Sequence, residues 1–80
     1  MTSGPTDYYG QPISVGDVCR AMCEDSRGGL PLYATNIDLT VVAIGRTRVE
    51  VTGIAAFNGT IRPRAEFLKV TRRVEEGSRA

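Results

Sequence analysis

The distribution of apolar and polar residues along the chain is that of short β-strands. In the segment 48–52, Val49 and Val51 alternate with polar residues, which places the two valines on one face of a strand. The segment 38–44 is apolar on both faces in its middle, as is typical of a central strand or of one covered by a loop or a partner. The full pattern predicts five strands, at about residues 17–22, 38–44, 48–56, 60–62 and 69–72.

Turn signals separate these segments. Asn58-Gly59, between two apolar runs, predicts a tight hairpin because both residues tolerate a positive φ, and residues 45–47 predict a second short turn. Pro63 opens the segment 63–68, which predicts a single helical turn. No segment has the periodicity of an amphipathic helix of normal length. The predicted fold class is therefore all-β, with one short helical turn before the last strand and a long loop at 23–37.

The length of 80 residues allows one small domain. Small and polar residues at both ends predict a flexible N-terminal segment at 1–12 and a flexible tail at 74–80, around a domain at 13–73. No apolar run approaches the roughly 18 residues of a membrane-spanning helix, and the N-terminus lacks the pattern of a secretory signal. We therefore expect a cytoplasmic protein without a membrane partner.

The chain has no histidine, which removes the most frequent general base and metal ligand. Cys19 and Cys23 are the only thiols and supply half of a tetrahedral zinc site, so no metal site is expected; one is predicted to be a core residue and the other half-exposed. The glycines form no nucleotide-binding motif, and the acidic pairs Glu24-Asp25 and Glu75-Glu76 are interpreted as solvated charge. The sequence thus predicts no cofactor and no catalytic residue, and an enzyme with a site built between subunits is the remaining enzymatic alternative.

The order of the predicted elements resembles the SH3-like small β-barrel. The resemblance rests on Val15-Gly16-Asp17-Val18 at the start of the first strand, the long loop after it, the pair 41–44 and 48–51 joined by a short turn, and Pro63 before the helical turn. It covers roughly residues 13–72 and implies a five-stranded SH3-like barrel, for which short bacterial and phage proteins are the nearest association. Because this barrel hosts many unrelated functions, the resemblance implies no activity.

The charge of the chain is unevenly distributed. Residues 1–45 hold 2 basic and 5 acidic side chains, whereas residues 46–80 hold 8 basic and 4 acidic ones. If the strands that follow residue 45 are neighbours, they bring together a basic face of Arg46, Arg48, Arg62 and Arg64. Such a cluster engages phosphates, so a nucleic-acid-binding module is the alternative function, although exposed strands also carry charge for solubility.

The second candidate surface lies in the long loop. The run Leu30-Pro31-Leu32-Tyr33 is either a lid over the open end of the core or an exposed interface, to which Tyr8 and Tyr9 are candidate additions. We predict a non-enzymatic module that engages a partner protein, as a small phage or bacterial accessory or inhibitor protein. Leu32 and Tyr33 are its predicted apolar contact, the arginines steer association, and self-association into a homo-oligomer remains open.

Overall fold

The computed structural model describes residues 4–53 and 59–73 and contains one antiparallel sheet of five strands. The strands are β1 (Val18–Ala21), β2 (Leu39–Ile44), β3 (Val49–Thr52), β4 (Thr60–Ile61) and β5 (Leu68–Arg72), in the order β4-β3-β2-β1-β5 across the sheet. Within the described residues the helical segments are two 3-10 helices, Leu32–Asn36 and Ala65–Phe67. The all-β class and the helical turn before the last strand are confirmed, while β4 and β5 do not pair and the sheet is not closed.

The strands lie at the predicted places and differ at their ends. β1, β2 and β4 fall inside the predicted segments, and β5 begins one residue earlier, at Leu68. β3 ends at Thr52, and Gly53 follows with a φ of +127°. A Cβ at position 53 would stand 2.6 Å from the carbonyl oxygen of Asp38, so this turn requires glycine. Residues 54–56 of the predicted third strand and Asn58 of the predicted Asn58-Gly59 turn lie outside the described residues.

Alternate residues of β2 and β3 form the centre of the core. Val49 and Val51 are 1% and 0% exposed, which confirms the inner face predicted for this strand. Val41 pairs with Val51, after which the register shifts and Val42 is exposed. Each buried valine or leucine contributes roughly 1.5–3 kcal/mol through removal from water. The other apolar core residues are Ile13, Cys19, Ala21, Leu30, Ala34, Leu39, Ile61, Ala65 and Leu68.

The long loop between β1 and β2 has its own structure. Asp25 and Leu30 form an antiparallel bridge that closes a tight turn at the tip of the loop. The 3-10 helix at Leu32–Asn36 follows and packs against β1. Leu30 and Ala34 enter the core at 1% and 0% exposure, so this part of the loop does cover the core.

Both edges of the sheet are covered by other segments. On β5, the carbonyl oxygen of Leu68 accepts from the N–H of Tyr8 at 2.6 Å, and the N–H of Val70 donates to the carboxylate of Asp7 at 3.1 Å. Beside β4, the N–H of Arg62 donates to the carbonyl oxygen of Gly28 at 3.2 Å. Such cover protects unpaired strand edges from pairing with another chain. Asp7 lies in the segment predicted to be flexible; that flexibility stays a prediction, but Asp7 itself is buried.

Candidate functional site

The first candidate site is the exposed part of the 3-10 helix that follows β1. Leu32 is 59% exposed and Tyr33 is 56% exposed, whereas Leu30 before them and Ala34 after them are in the core. Leu30 and Ala34 therefore cover the core, as expected of a lid. Leu32 and Tyr33 are exposed at the surface, and their role as an interface stays a prediction.

The backbone that carries Leu32 and Tyr33 is held in place. The N–H of Ala34 donates to the carbonyl oxygen of Pro31 at 3.0 Å, and the N–H of Ile37 donates to that of Ala34 at 3.1 Å. Ile37 is partly buried against the core. Because Tyr buries a large ring with few rotatable bonds, presenting it on a fixed backbone lowers the entropy that binding must overcome.

A second exposed aromatic pair lies in the N-terminal segment. The rings of Tyr8 and Tyr9 are T-shaped, with centroids 5.1 Å apart, and the residues are 54% and 58% exposed. The carboxylate of Asp7 accepts from the N–H of Tyr9 at 2.9 Å and from that of Gln11 at 2.8 Å. Tyr8 and Tyr9 therefore project from a turn that a buried carboxylate organises.

The predicted basic face is brought together in part, and most of its charges have acidic partners. Arg48 pairs with Asp25 at 3.0 Å, Arg64 with Glu66 at 2.9 Å, and Arg62 lies 4.0 Å from Glu50. Backbone pairing of Arg48 with Arg64, and a bond of 2.8 Å from the Arg48 Nη1 to the carbonyl oxygen of Arg62, join three of the four residues.

Arg46 differs from the other three arginines of this face. It is exposed in the turn between β2 and β3 and forms no ion pair with residues 4–53 or 59–73. Arg46 borders a depression with Arg64, Thr47, Pro5 and Thr6. The Glu66 carboxylate also lines this depression, so its positive charge is partly offset there.

Asp25 is buried, contrary to the prediction from the sequence. The pair Glu24-Asp25 was expected to be solvated charge, but Asp25 is 6% exposed while Glu24 is exposed. Its carboxylate accepts from the N–H of Arg64 at 2.8 Å, from that of Gly28 at 3.2 Å, and from Arg48 at 3.0 Å. The sequence around Glu24-Asp25 does not indicate that Asp25 bonds to residues far along the chain. These contacts span up to 39 positions, and local sequence patterns carry no information on them.

The Asp25 contacts also set its proton affinity. Burial disfavours the charged carboxylate, but hydrogen bonds from the N–H groups of Arg64 and Gly28 and the Arg48 guanidinium favour it more. The net result is a pKa of Asp25 below its ordinary value. The carboxylate therefore remains charged at neutral pH, which suits a structural role and not a general acid.

The cysteines lie as predicted, one in the core and one half-buried. Cys19 is fully buried, and burial, with the neighbouring Asp17 and Asp7 charges, raises the pKa of its thiol to about 12. A thiol with that pKa is protonated at neutral pH and is a poor nucleophile and a poor ligand. Cys23 is half-buried and is not in a disulfide. Across the described ranges no three His, Cys, Asp or Glu side chains are grouped to hold a metal ion.

The comparisons with known proteins give no match: no family model, no curated protein and no solved structure is significantly similar to this chain. In residues 4–53 and 59–73, no helix has the length and apolar character needed to cross a lipid bilayer. The geometry of the exposed residues is therefore the basis for a functional proposal.

Proposed function

We propose that this protein is a non-enzymatic binding module of the SH3-like barrel type that engages a partner protein through Leu32 and Tyr33. One observation carries the proposal: two large apolar side chains stand more than half exposed between two neighbours that are fully buried. Exposure of such residues on an ordered backbone has an energetic cost in water, and a protein interface removes it.

Several features support the barrel type. The strand order β4-β3-β2-β1-β5 with antiparallel pairing places the first strand between the second and the last. A 3-10 turn precedes β5, and a long loop separates β1 from β2. Asp7 accepts from the free side of β5 and Gly28 accepts from the N–H of Arg62 beside β4, which supports a barrel type whose sheet edges are covered by other segments.

The proposed mechanism is occlusion of a surface on the partner, as expected of a small accessory or inhibitor protein. Tyr33 is the central contact and Leu32 fills the area beside it. Steering by arginines is a secondary effect, since rim charges change association rates more than affinities. Of the four arginines considered for this role, Arg46 is exposed and lacks an ion pair with the described residues, whereas the other three lie beside carboxylates.

Tyr33→Ala tests this proposal, with Tyr9→Ala as its matched control. Both tyrosines are exposed to nearly the same extent, at 56% and 58%, so the two substitutions remove the same ring from similar solvation. A photo-cross-linking amino acid at position 33, and separately at position 9, identifies the protein that contacts each site. Calorimetry with that protein is expected to show affinity reduced about 30-fold by Tyr33→Ala, as for a central interface residue, and unchanged by Tyr9→Ala.

The same experiment has clear contrary results. Equal loss of affinity in both variants, or cross-linking only from position 9, would assign the interface to the N-terminal tyrosines. Sedimentation velocity adds a further check. If the wild type forms a dimer that Tyr33→Ala dissociates, the surface covers a second copy of the chain and the proposal of a different partner protein fails.

A further inference from the structure

A cleft between the tip of the long loop and β4 carries positive charge without an acidic residue in its described lining. The loop tip contributes Arg27 and the hydroxyl-bearing Ser26 to its lining, and the β4 segment contributes Arg62 and the hydroxyl-bearing Thr60. Arg27 was not part of the predicted basic face, because it belongs to the acidic half of the sequence. The remaining lining residues are Gly28, Gly29 and Ile61.

The two guanidinium groups of this cleft are available to a ligand. Arg27 is exposed and forms no ion pair with any residue that the structure describes. Arg62 has a side chain 76% exposed, and its Nε lies 4.0 Å from the Glu50 carboxylate, at the limit of an ion pair. An exposed pair at that distance contributes little free energy, so that an anion competes with it readily. Arg48, in contrast, is held by Asp25.

The walls of the cleft are held together by backbone contacts. The N–H of Arg62 donates to the carbonyl oxygen of Gly28 at 3.2 Å, and a Cβ at position 29 would stand 3.4 Å from Cγ2 of Ile61. A Cβ at position 28 would stand 2.6 Å from the carbonyl oxygen of Arg62, so glycine is what allows this approach. The Asp25 carboxylate fixes the start of the same turn through the N–H of Gly28. The backbone segments that carry the two arginines are therefore held in a fixed arrangement.

We propose that this cleft binds backbone phosphates of a nucleic-acid strand. Guanidinium groups and hydroxyls are the side-chain donors that phosphate oxygens accept from most often. The cleft is shallow and widely open to solvent, so a polymer can lie across it, which favours a chain of phosphates over an enclosed small ligand. No aromatic side chain is among the described residues that line it, so the contacts proposed for these residues are to the backbone and are independent of base sequence.

Arg27→Gln and Arg62→Gln test the assignment, with Arg72→Gln as the matched control. Arg72 is exposed on β5, at the opposite edge of the sheet from β4, and forms no ion pair with the described residues. Binding of labelled single-stranded and duplex oligonucleotides is measured by fluorescence anisotropy between about 50 and 200 mM salt. Arg27→Gln and Arg62→Gln are each expected to weaken binding about tenfold at the lower salt and to reduce the salt slope by about one.

The control defines the contrary results. Arg72→Gln is expected to leave affinity and slope unchanged; a loss equal to that of Arg27→Gln would mean diffuse attraction and would overturn the site. Absence of oligonucleotide binding at low salt would also overturn it. If inorganic phosphate competes as well as an oligonucleotide does per phosphate, and longer strands bind no tighter, the ligand is a small phosphate compound and the nucleic-acid assignment fails.

Arg27→Lys, which keeps the charge, is expected to retain the salt slope.

This site is separate from the proposed protein-binding surface. Tyr33→Ala is expected to leave oligonucleotide binding unchanged, and Arg27→Gln is expected to leave binding of the cross-linked partner unchanged. Thermal melting of each variant verifies that it is folded. The two proposals can therefore fail independently.

Discussion

At the scale of single residues, buried carboxylates organise this protein more than its sequence indicates. Asp7, Asp17 and Asp25 are 3%, 0% and 6% exposed. Each accepts at least one hydrogen bond from the backbone N–H of a turn residue, which offsets the cost of removing the charge from water. Asp17 binds the N–H of Ser14 at 2.9 Å and lies 3.4 Å from Arg73. These carboxylates accept hydrogen bonds that the backbone N–H groups of the turns would otherwise donate to water.

Replacement of Asp25 by Asn is expected to destabilise the protein by about 2 kcal/mol, because a charged acceptor of one guanidinium and two backbone N–H groups is lost. Asp38→Asn is the matched control. Its ion pair with Arg20 is exposed, with side-chain exposures of 58% and 47%, so a change below about 0.5 kcal/mol is expected there. Urea unfolding measures the free energy of unfolding of both variants. Equal losses would show that the buried contacts of Asp25 stabilise the fold no more than an exposed ion pair does.

The pH dependence of stability follows from the same residue. The folded-state pKa of Asp25 is lower than in the unfolded chain, so its contribution is fully present above the unfolded value of about 4. The contribution is lost as the pH falls through the lower folded-state pKa. Unfolding free energies measured from about pH 7 down to pH 2 should therefore converge for wild type and Asp25→Asn at the acidic end. A difference that persists undiminished in acid would contradict this assignment.

At the scale of elements, the edge strands depend on segments outside the sheet. β5 has its free side covered by the N-terminal turn through Tyr8 and Asp7, and β4 is only two residues long, with the loop at Gly28 beside it. Short or covered edge strands resist pairing with other chains. The N-terminal turn thus contributes to the stability of the sheet, although it precedes the first strand in the sequence.

Replacement of Asp7 by Ala is expected to uncover the edge of β5. Three backbone N–H groups, those of Tyr9, Gln11 and Val70, lose their acceptor, and the loss of stability is expected to be about 2 kcal/mol. Hydrogen exchange should accelerate at the Val70 amide. Glu66→Ala, which removes an exposed carboxylate bound to Arg64, serves as the control and should leave Val70 protected. Unchanged exchange at Val70 in Asp7→Ala would refute the role of the turn.

At the scale of the whole molecule, the long loop is folded back onto the far end of the sheet. The tip at Asp25 and Gly28 contacts Arg48, Arg62 and Arg64, and this contact joins the loop, the start of β3 and the residues after β4. The same contact holds the walls of the Arg27–Arg62 cleft. A single region therefore stabilises the fold and positions a candidate binding site.

Gly28→Ala is expected to disturb this region. A Cβ there would stand 2.6 Å from the carbonyl oxygen of Arg62 and 2.6 Å from the Cα of Pro63, so the loop must move away at a cost of about 1–3 kcal/mol. Gly4→Ala is the control, since no described atom beyond its chain neighbours lies within 4 Å of a Cβ at position 4. Thermal unfolding measures both, and a Gly28→Ala variant as stable as Gly4→Ala would show that the loop does not pack closely on the sheet.

The sequence by itself determined the approximate places of the strands and the inner face of β3. Alternation of Val49 and Val51 with polar residues is a local pattern, and period-two spacing assigns a face without knowledge of the neighbours. The end of β3 at Thr52 follows from Gly53, whose close approach to Asp38 depends on a contact between strands. The helical turn at Ala65–Phe67 was likewise readable, because Pro63 favours the start of such a turn.

Only the tertiary structure decided which charges are paired and which apolar residues are exposed. The pairing of Asp25 with Arg48 and the exposure of Tyr33 beside buried Ala34 depend on where the loop returns to the sheet. Arg27 and Arg62 line the same cleft although 35 positions separate them in the chain. Local periodicity carries no information on such long-range contacts, because they depend on the path of a loop whose residues have no regular pattern.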